Sequence, residues 1–120
     1  MDAWKQELKE SVTSVAQLAG RFDFDPRPLI AVEQRYPFKI TPYYLSLIRE
    51  IGDPIWQQCV PDLRELNDDG LVDPLGEEEL SPVPTVIHRY PDRAIFLVSG
   101  SCAGYCRFFT PKRKVGCPSM

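Results

Sequence analysis

The chain has 120 residues, of which 43% are hydrophobic and 26% are charged, a composition typical of a small globular domain and not of a disordered segment. It contains no apolar run of the roughly 18 residues that a membrane span needs, and its polar start, MDAWKQELKE, lacks a signal-peptide core. We therefore expect a cytoplasmic protein that does not associate with membranes. The formal net charge is −3, but residues 81–120 carry six Lys and Arg against a single acid, which favours an anion-binding half or a solvated basic tail.

The first half of the chain has the pattern of short helices. Apolar residues recur at helical spacing from Trp4 to Ala19, and Gly20 ends the pattern, so we predict one amphipathic helix over residues 2–19. Three dipeptides then place an oxygen acceptor before a proline, as at the first positions of many helices. These dipeptides and a following apolar segment predict helices at 26–35, 42–51, 54–59 and 61–66.

The region after these helices contains an irregular segment and then one strand. Prolines and acidic residues dominate up to residue 84, which indicates a segment that wraps along another surface. The apolar run 94–98 predicts a strand buried on both faces, as in a parallel sheet. A single strand of this kind is not a sheet, so we interpret it as the beginning of a larger β/α architecture, in which ligands bind at the carboxyl ends of the strands.

Two cysteines follow that strand directly, in the segment Cys102-Ala-Gly-Tyr-Cys106. Paired thiolates suit an iron–sulfur cluster, zinc or copper(I), although two ordinary thiols would give the same pattern. Cys59 lies in a predicted helix and is interpreted as a small core residue.

The sequence from residue 36 to residue 116 resembles the N-terminal region of the lysine 2,3-aminomutase family. The resemblance is carried by YPFKITPYYLSLI, DPIWQQCVPDLREL, DPLGEEELSPVP and HRYPDRAIFLVSGSCAGYCRF, in that order. The cysteine loop is similar to the CxxxCxxC motif of radical SAM enzymes. The resemblance implies a mainly α N-terminal region followed by the first strand and cofactor loop of a truncated radical SAM (β/α) barrel. It divides the chain into a helical region, 1–87, and the start of the barrel, 88–120.

The resemblance also implies cofactors and a reaction. Members of the family are isomerases that use a [4Fe–4S] cluster, S-adenosylmethionine and pyridoxal phosphate, and they move the amino group of lysine from carbon 2 to carbon 3. Cys102 and Cys106 match the first two cluster ligands. Tyr105 and Arg107 match cofactor-binding positions beside the cluster, and no residue of this chain matches a catalytic one.

Three residues of the HRYPDR segment match positions that contact pyridoxal phosphate in this family: Arg89, Tyr90 and Arg93. Their chemistry agrees with this role, because guanidinium groups pair with phosphate and a tyrosine ring can stack or donate a hydrogen bond. Surface charge beside a strand is the alternative interpretation.

The chain departs from the family pattern at two positions. Phe109 stands where the third cluster cysteine is expected, and phenylalanine cannot bind iron. Pro111 stands where the family usually has an arginine for the substrate carboxylate. Cys117 is an alternative third ligand.

The sequence therefore predicts an N-terminal fragment of a lysine 2,3-aminomutase-like enzyme that is inactive alone, with lysine as the family substrate. The alternative is a non-catalytic assembly module, as a homo-oligomer or docked on a related barrel. A zinc or nucleic-acid module built on Cys102, Cys106 and Cys117 is a third interpretation, but the cysteine spacing fits no standard zinc pattern and we do not expect a nucleic-acid partner.

Overall fold

The computed structural model describes residues 2–67 and 69–108, which fall into two compact units. The first unit contains residues 2–67 and 103–108, and the second contains residues 69–102. The α-helices are α1 (Ala3–Lys9), α2 (Val15–Ala19), α3 (Ile30–Arg35), α4 (Pro42–Ser46) and α5 (Pro54–Cys59). Short 3-10 helices cover Arg27–Leu29 and Leu63–Asn67, and the strands are β1 (Val86–Tyr90) and β2 (Arg93–Phe96).

The chain begins with two short helices, so the prediction of one helix over residues 2–19 is wrong. The backbone of Val12 leaves helical geometry to pair with Ile40, with N–H···O distances of 2.8 and 3.0 Å in the two directions. Ser14 then starts α2 with a capping box, in which its hydroxyl accepts from the Gln17 backbone N–H and the Gln17 side chain accepts from the Ser14 backbone N–H. These local bonds stop α1 and begin a new helix.

Two of the three proline-capped helices, α4 and α5, begin where the sequence predicts, whereas the segment predicted as a helix over 26–35 starts as the 3-10 helix Arg27–Leu29 and becomes α-helical at Ile30. The Thr41 hydroxyl accepts from the Tyr44 backbone N–H at 3.4 Å before α4, and the Asp53 carboxylate accepts from the Trp56 backbone N–H at 2.8 Å before α5. However, α4 ends at Ser46 instead of residue 51. Gly52 lies in the turn before α5 with φ of +85°, a conformation that favours glycine.

The core of the first unit forms between α2, α4, α5 and the Val12–Ile40 bridge. Its buried side chains are Val12, Val15, Leu18, Phe38, Ile40, Leu45, Ile48, Cys59 and Val60. Phe22 and Phe24 pack edge-on against Trp56, with ring centroids 5.3 and 5.5 Å from the indole. The prediction that Cys59 is a core residue is confirmed, since Cys59 is 5% exposed.

The second unit contains an antiparallel hairpin. Val86 of β1 pairs with Phe96 of β2, and Tyr90 pairs with Arg93 across the turn. The strand predicted over residues 94–98 is present as β2, but every residue of β2 is exposed and its partner is antiparallel. The expectation of a strand buried on both faces without a second strand is therefore wrong for the described residues. The barrel and the division at residue 87 remain predictions.

Within the described residues, no helix combines the length and the apolar character needed to cross a bilayer.

Candidate functional site

Residues 103–108, which include Cys106 and the residues on either side of it, belong to the first unit. Hydrogen bonds of Arg107 hold them to the rest of that unit. The Arg107 backbone N–H donates to the Gln58 carbonyl oxygen at 2.9 Å, at the end of α5. Its guanidinium Nη1 donates to the Pro37 carbonyl oxygen at 3.1 Å. The loop is therefore held to two separate parts of the helical region.

The same guanidinium forms a two-pronged ion pair with Glu65. Nε lies 2.9 Å from one carboxylate oxygen and Nη2 lies 2.6 Å from the other. The two side chains are only 10% and 13% exposed. The Glu65 carboxylate also accepts from the Asp62 backbone N–H at 3.0 Å, which fixes its orientation. In this structure the side chain of Arg107 is occupied by these partners, and its predicted role beside a cluster remains a prediction.

The loop closes one wall of a cavity of about 350 Å³ within the first unit. The cavity is lined by Lys39, Ile40, Thr41, Tyr43, Tyr44, Gln58, Cys59, Ala103, Gly104, Tyr105 and Cys106. The Tyr44 hydroxyl donates to the Gln58 side-chain oxygen beside it. Cavities that bind small ligands measure about 300–1,000 Å³, so this one falls at the lower end of that range.

Two thiols with different environments line this cavity. Cys106 is exposed, whereas Cys59 is buried and its thiol donates to the Ile55 carbonyl oxygen at 3.2 Å. Burial, assisted by the negative charge of Asp53, raises the pKa of Cys59 to about 12, while Arg107 acts in the opposite direction. Burial also raises the pKa of Tyr44 above its usual value.

Tyr105 and Gly104 complete the loop side of the cavity. Tyr105 is half-buried and faces the same space as Tyr44. A Cβ at Gly104 would lie 3.5 Å from the Lys39 carbonyl oxygen, which is ordinary van der Waals contact. Glycine is therefore not required at position 104 to avoid a clash in this structure.

In the second unit, the hairpin brings Arg89, Tyr90 and Arg93 together. The guanidinium carbon of Arg93 lies 4.4 Å from the centre of the Tyr90 ring, and that of Arg89 lies 5.8 Å from it. Arg93 also pairs with the exposed Asp92 at 3.5 Å, and Arg89 donates to the Leu75 carbonyl oxygen. Two cations beside one aromatic ring form a surface whose chemistry fits a phosphate dianion.

Phe109 stands at the third position of the CxxxCxxC pattern and supplies no thiolate, so the loop does not fit a cluster held by the three thiolates of that pattern. Cys102 is half-buried and Cys106 is exposed. Among residues 2–67 and 69–108, no group of three or more His, Cys, Asp or Glu side chains is arranged to hold a metal ion. Phe109, Pro111 and Cys117 lie outside the described residues, and Phe109 supplies no ligand atom.

The sequence interpretation did not include Glu65, Gln58 and Tyr44, all of which shape the cavity or hold its loop. For Glu65 a local signal exists, because Asp62 and Glu65 have the spacing of a capping box, but this pattern indicates a helix start and not a partner 42 residues away. Gln58 and Tyr44 carry no comparable signal.

Comparison with known proteins identifies relatives over almost the whole chain. The L-lysine 2,3-aminomutase of Methanococcus maripaludis is 40% identical over 96% of this chain and 30% of its own length. The L-lysine 2,3-aminomutase of Fusobacterium nucleatum is 38% identical over 94% of this chain and 28% of its own length. The glutamate 2,3-aminomutase of Clostridioides difficile is 34% identical over 94% of this chain.

No family model matches the chain. The chain spans less than a third of the length of these curated relatives.

Proposed function

Because the chain belongs to the lysine 2,3-aminomutase family, we propose that it is part of an aminomutase-like radical SAM enzyme, which moves an amino group from carbon 2 to carbon 3. The observation that carries this proposal is the 40% identity to an L-lysine 2,3-aminomutase over 96% of the chain. Lysine is the proposed substrate of the whole protein, since the lysine enzymes described above are more similar to this chain than the glutamate enzyme, at 40% and 38% against 34% identity.

The hairpin of the second unit is the proposed contact for pyridoxal phosphate. Arg89 and Arg93 would neutralise the phosphate group, and the neighbouring Tyr90 ring would fix its position. The placement of both guanidinium groups within about 6 Å of the centre of this ring supports the assignment. Bound there, pyridoxal phosphate would supply the electron-accepting ring that amino-group migration needs.

We further propose that this chain does not convert lysine by itself. Phe109 replaces a thiolate that a cluster would need, and Pro111 has neither the charge nor the donor that would pair with a substrate carboxylate. Formation of β-lysine by the purified chain, measured by chromatography, would contradict this proposal.

Anaerobic reconstitution with iron and sulfide tests whether the loop is a cluster site that lacks one ligand. We expect Phe109→Cys to bind a [4Fe–4S] cluster, measured as bound iron, bound sulfide and an EPR signal after reduction, and we expect the unaltered chain not to bind one. Phe109→Ser is the matched control, because it removes the ring without adding a thiolate.

Two results would overturn the assignment. A cluster in the unaltered chain would show that another ligand, such as Cys117, completes the site. The absence of a cluster from Phe109→Cys would show that Cys102 and Cys106 do not form a cluster loop in this chain.

A non-catalytic assembly module is the second candidate. It is favoured by apolar side chains on and after β2 that are exposed, namely Ile95 at 50%, Phe96 at 66% and Val98 at 81%. The proposed occupant of this surface is a related barrel subunit, which would remove these side chains from water.

A further inference from the structure

We propose that Cys59 and Cys106 form a reversible disulfide across the cavity of the first unit when the chain meets a low-molecular-weight disulfide. This pair is distinct from the cysteine pair of the loop motif, Cys102 and Cys106. The inference does not depend on the proposed enzymatic function, because it rests on the geometry of the first unit alone.

The two thiols share one cavity, and a backbone hydrogen bond joins their neighbours in sequence. Both residues line the space of about 350 Å³. The Arg107 N–H donates to the Gln58 carbonyl oxygen at 2.9 Å, where Cys106 precedes the donor and Cys59 follows the acceptor. This bond brings the two backbone segments into direct contact one residue away from each cysteine. A disulfide needs Cα atoms about 4.4–6.8 Å apart, a separation that the two cysteines can reach from this backbone contact.

The contacts of Arg107 also hold this arrangement in place. Its ion pair with Glu65 is almost entirely buried, and its Nη1 donates to the Pro37 carbonyl oxygen at 3.1 Å. Residue 106 is therefore attached to an anchored neighbour, while Cys59 ends helix α5.

The different exposure of the two thiols sets the order of the reaction. The exposed Cys106 sulfur attacks one sulfur of the small disulfide, forms a mixed disulfide and releases the first small thiol. The buried Cys59 thiol then gives up its hydrogen bond to the Ile55 carbonyl oxygen, loses its proton to solvent and attacks the Cys106 sulfur as a thiolate, which releases the second small thiol. This second step is the slow one, because burial raises the pKa of Cys59 to about 12. Two protein thiols are oxidised, one small disulfide is reduced, and the two released small thiols take up the two protons.

The bond would have a chemical consequence for the loop. A sulfur held in the Cys59–Cys106 disulfide cannot act as a metal ligand, so oxidation would remove Cys106 from any metal that the loop binds. A reducing thiol would restore it. The cavity thus gives the loop a redox-dependent state that the cysteine motif alone does not predict.

The test is oxidation of the full, folded and reduced chain with oxidised glutathione, followed by intact mass measurement and peptide mapping without reduction. We expect the loss of two hydrogen atoms, with the Cys59 peptide linked to the Cys106 peptide as the main product. In Cys59→Val we expect this product to vanish and a glutathione adduct to remain on Cys106. Cys102→Ser is the matched control and should keep the Cys59–Cys106 link.

Alkylation of the unaltered chain provides a readout that does not depend on how a variant folds. After oxidation and unfolding, Cys59 and Cys106 should both resist alkylation while Cys102 reacts. A main product that links Cys102 to Cys106 would overturn the proposal, as would a stable Cys106 adduct in the unaltered chain without any link to Cys59.

Discussion

At position 107 a guanidinium is almost completely removed from water and meets a carboxylate that is equally buried. Desolvation of both charged groups costs free energy. The ion pair offsets this cost only when its geometry is good and the remaining polar atoms have hydrogen-bond partners. Here both conditions hold, because Arg107 makes two bonds to Glu65 and a third to the Pro37 carbonyl oxygen. Removing one partner would leave the other charge buried and unpaired.

We therefore expect Glu65→Gln to lower the free energy of unfolding by about 1–3 kcal/mol, less than for a fully buried pair because both side chains keep some contact with water. Urea unfolding monitored by tryptophan fluorescence measures the change. Arg27→Gln is the matched control, because Arg27 pairs with Asp25 in two-pronged geometry but is 84% exposed. Equal shifts of the urea midpoint in the two variants would contradict the argument.

Sequence reasoning identified one side of this site and missed the other. The spacing of Cys102 and Cys106 marked the loop, and the helical pattern placed Cys59 in the core. The pairing of Arg107 with Glu65 spans 42 residues, and no local pattern encodes a contact at that separation. For the same reason the sequence did not predict that Cys59 and Cys106 line the same cavity.

At the scale of the elements, the proline-capped helices were the most predictable. An oxygen acceptor before proline satisfies free backbone N–H groups locally, so the start of α4 and of α5 depends on three or four adjacent residues. The helix predicted over 2–19 failed because the Val12–Ile40 pairing is a long-range contact that overrides local propensity. Likewise, the apolar run predicted β2 but gave no information on its antiparallel partner β1.

Asp53 provides an element-scale prediction at the start of α5. Its carboxylate accepts from the backbone N–H groups of Trp56 and Arg49, both at 2.8 Å, and these bonds hold its pKa below the usual 3.8. The unfolded chain therefore binds the proton more tightly than the folded chain does. The stabilisation is present above pH 3.8 and is lost as the pH falls through the lower pKa of the folded state.

We expect Asp53→Asn to keep an oxygen acceptor at the cap but to remove this part of the acid dependence. Asp53→Ala should remove both the cap and the acid dependence, and should also lower the urea midpoint at pH 7. Urea midpoints measured from pH 7 down to pH 2 distinguish the variants. If the urea midpoints of the unaltered chain and of Asp53→Asn fall in parallel as the pH is lowered, the Asp53 carboxylate does not cause the loss of stability in acid.

At the scale of the whole molecule, the chain matches 28–30% of the length of two aminomutases, and its second unit carries much exposed apolar surface. Leu71 and Val72 are 78% and 82% exposed, and the residues on and after β2 continue this pattern. Burying an apolar side chain of this size contributes about 1.5–3 kcal/mol, so each exposed one favours association with another surface.

This exposed surface predicts that the chain binds apolar dyes and associates with itself as its concentration rises. Replacing Phe96 and Val98 together by threonine should reduce both effects and leave the unfolding midpoint nearly unchanged, because neither side chain is buried and threonine suits extended backbone. Ile87→Thr is the contrasting variant: Ile87 is 2% exposed, so its loss should destabilise the hairpin and increase dye binding. ANS fluorescence and sedimentation velocity measure the two effects. A strictly monomeric chain whose dye binding is unaffected by the double replacement would remove the support for the assembly-module candidate and leave the aminomutase proposal unaffected.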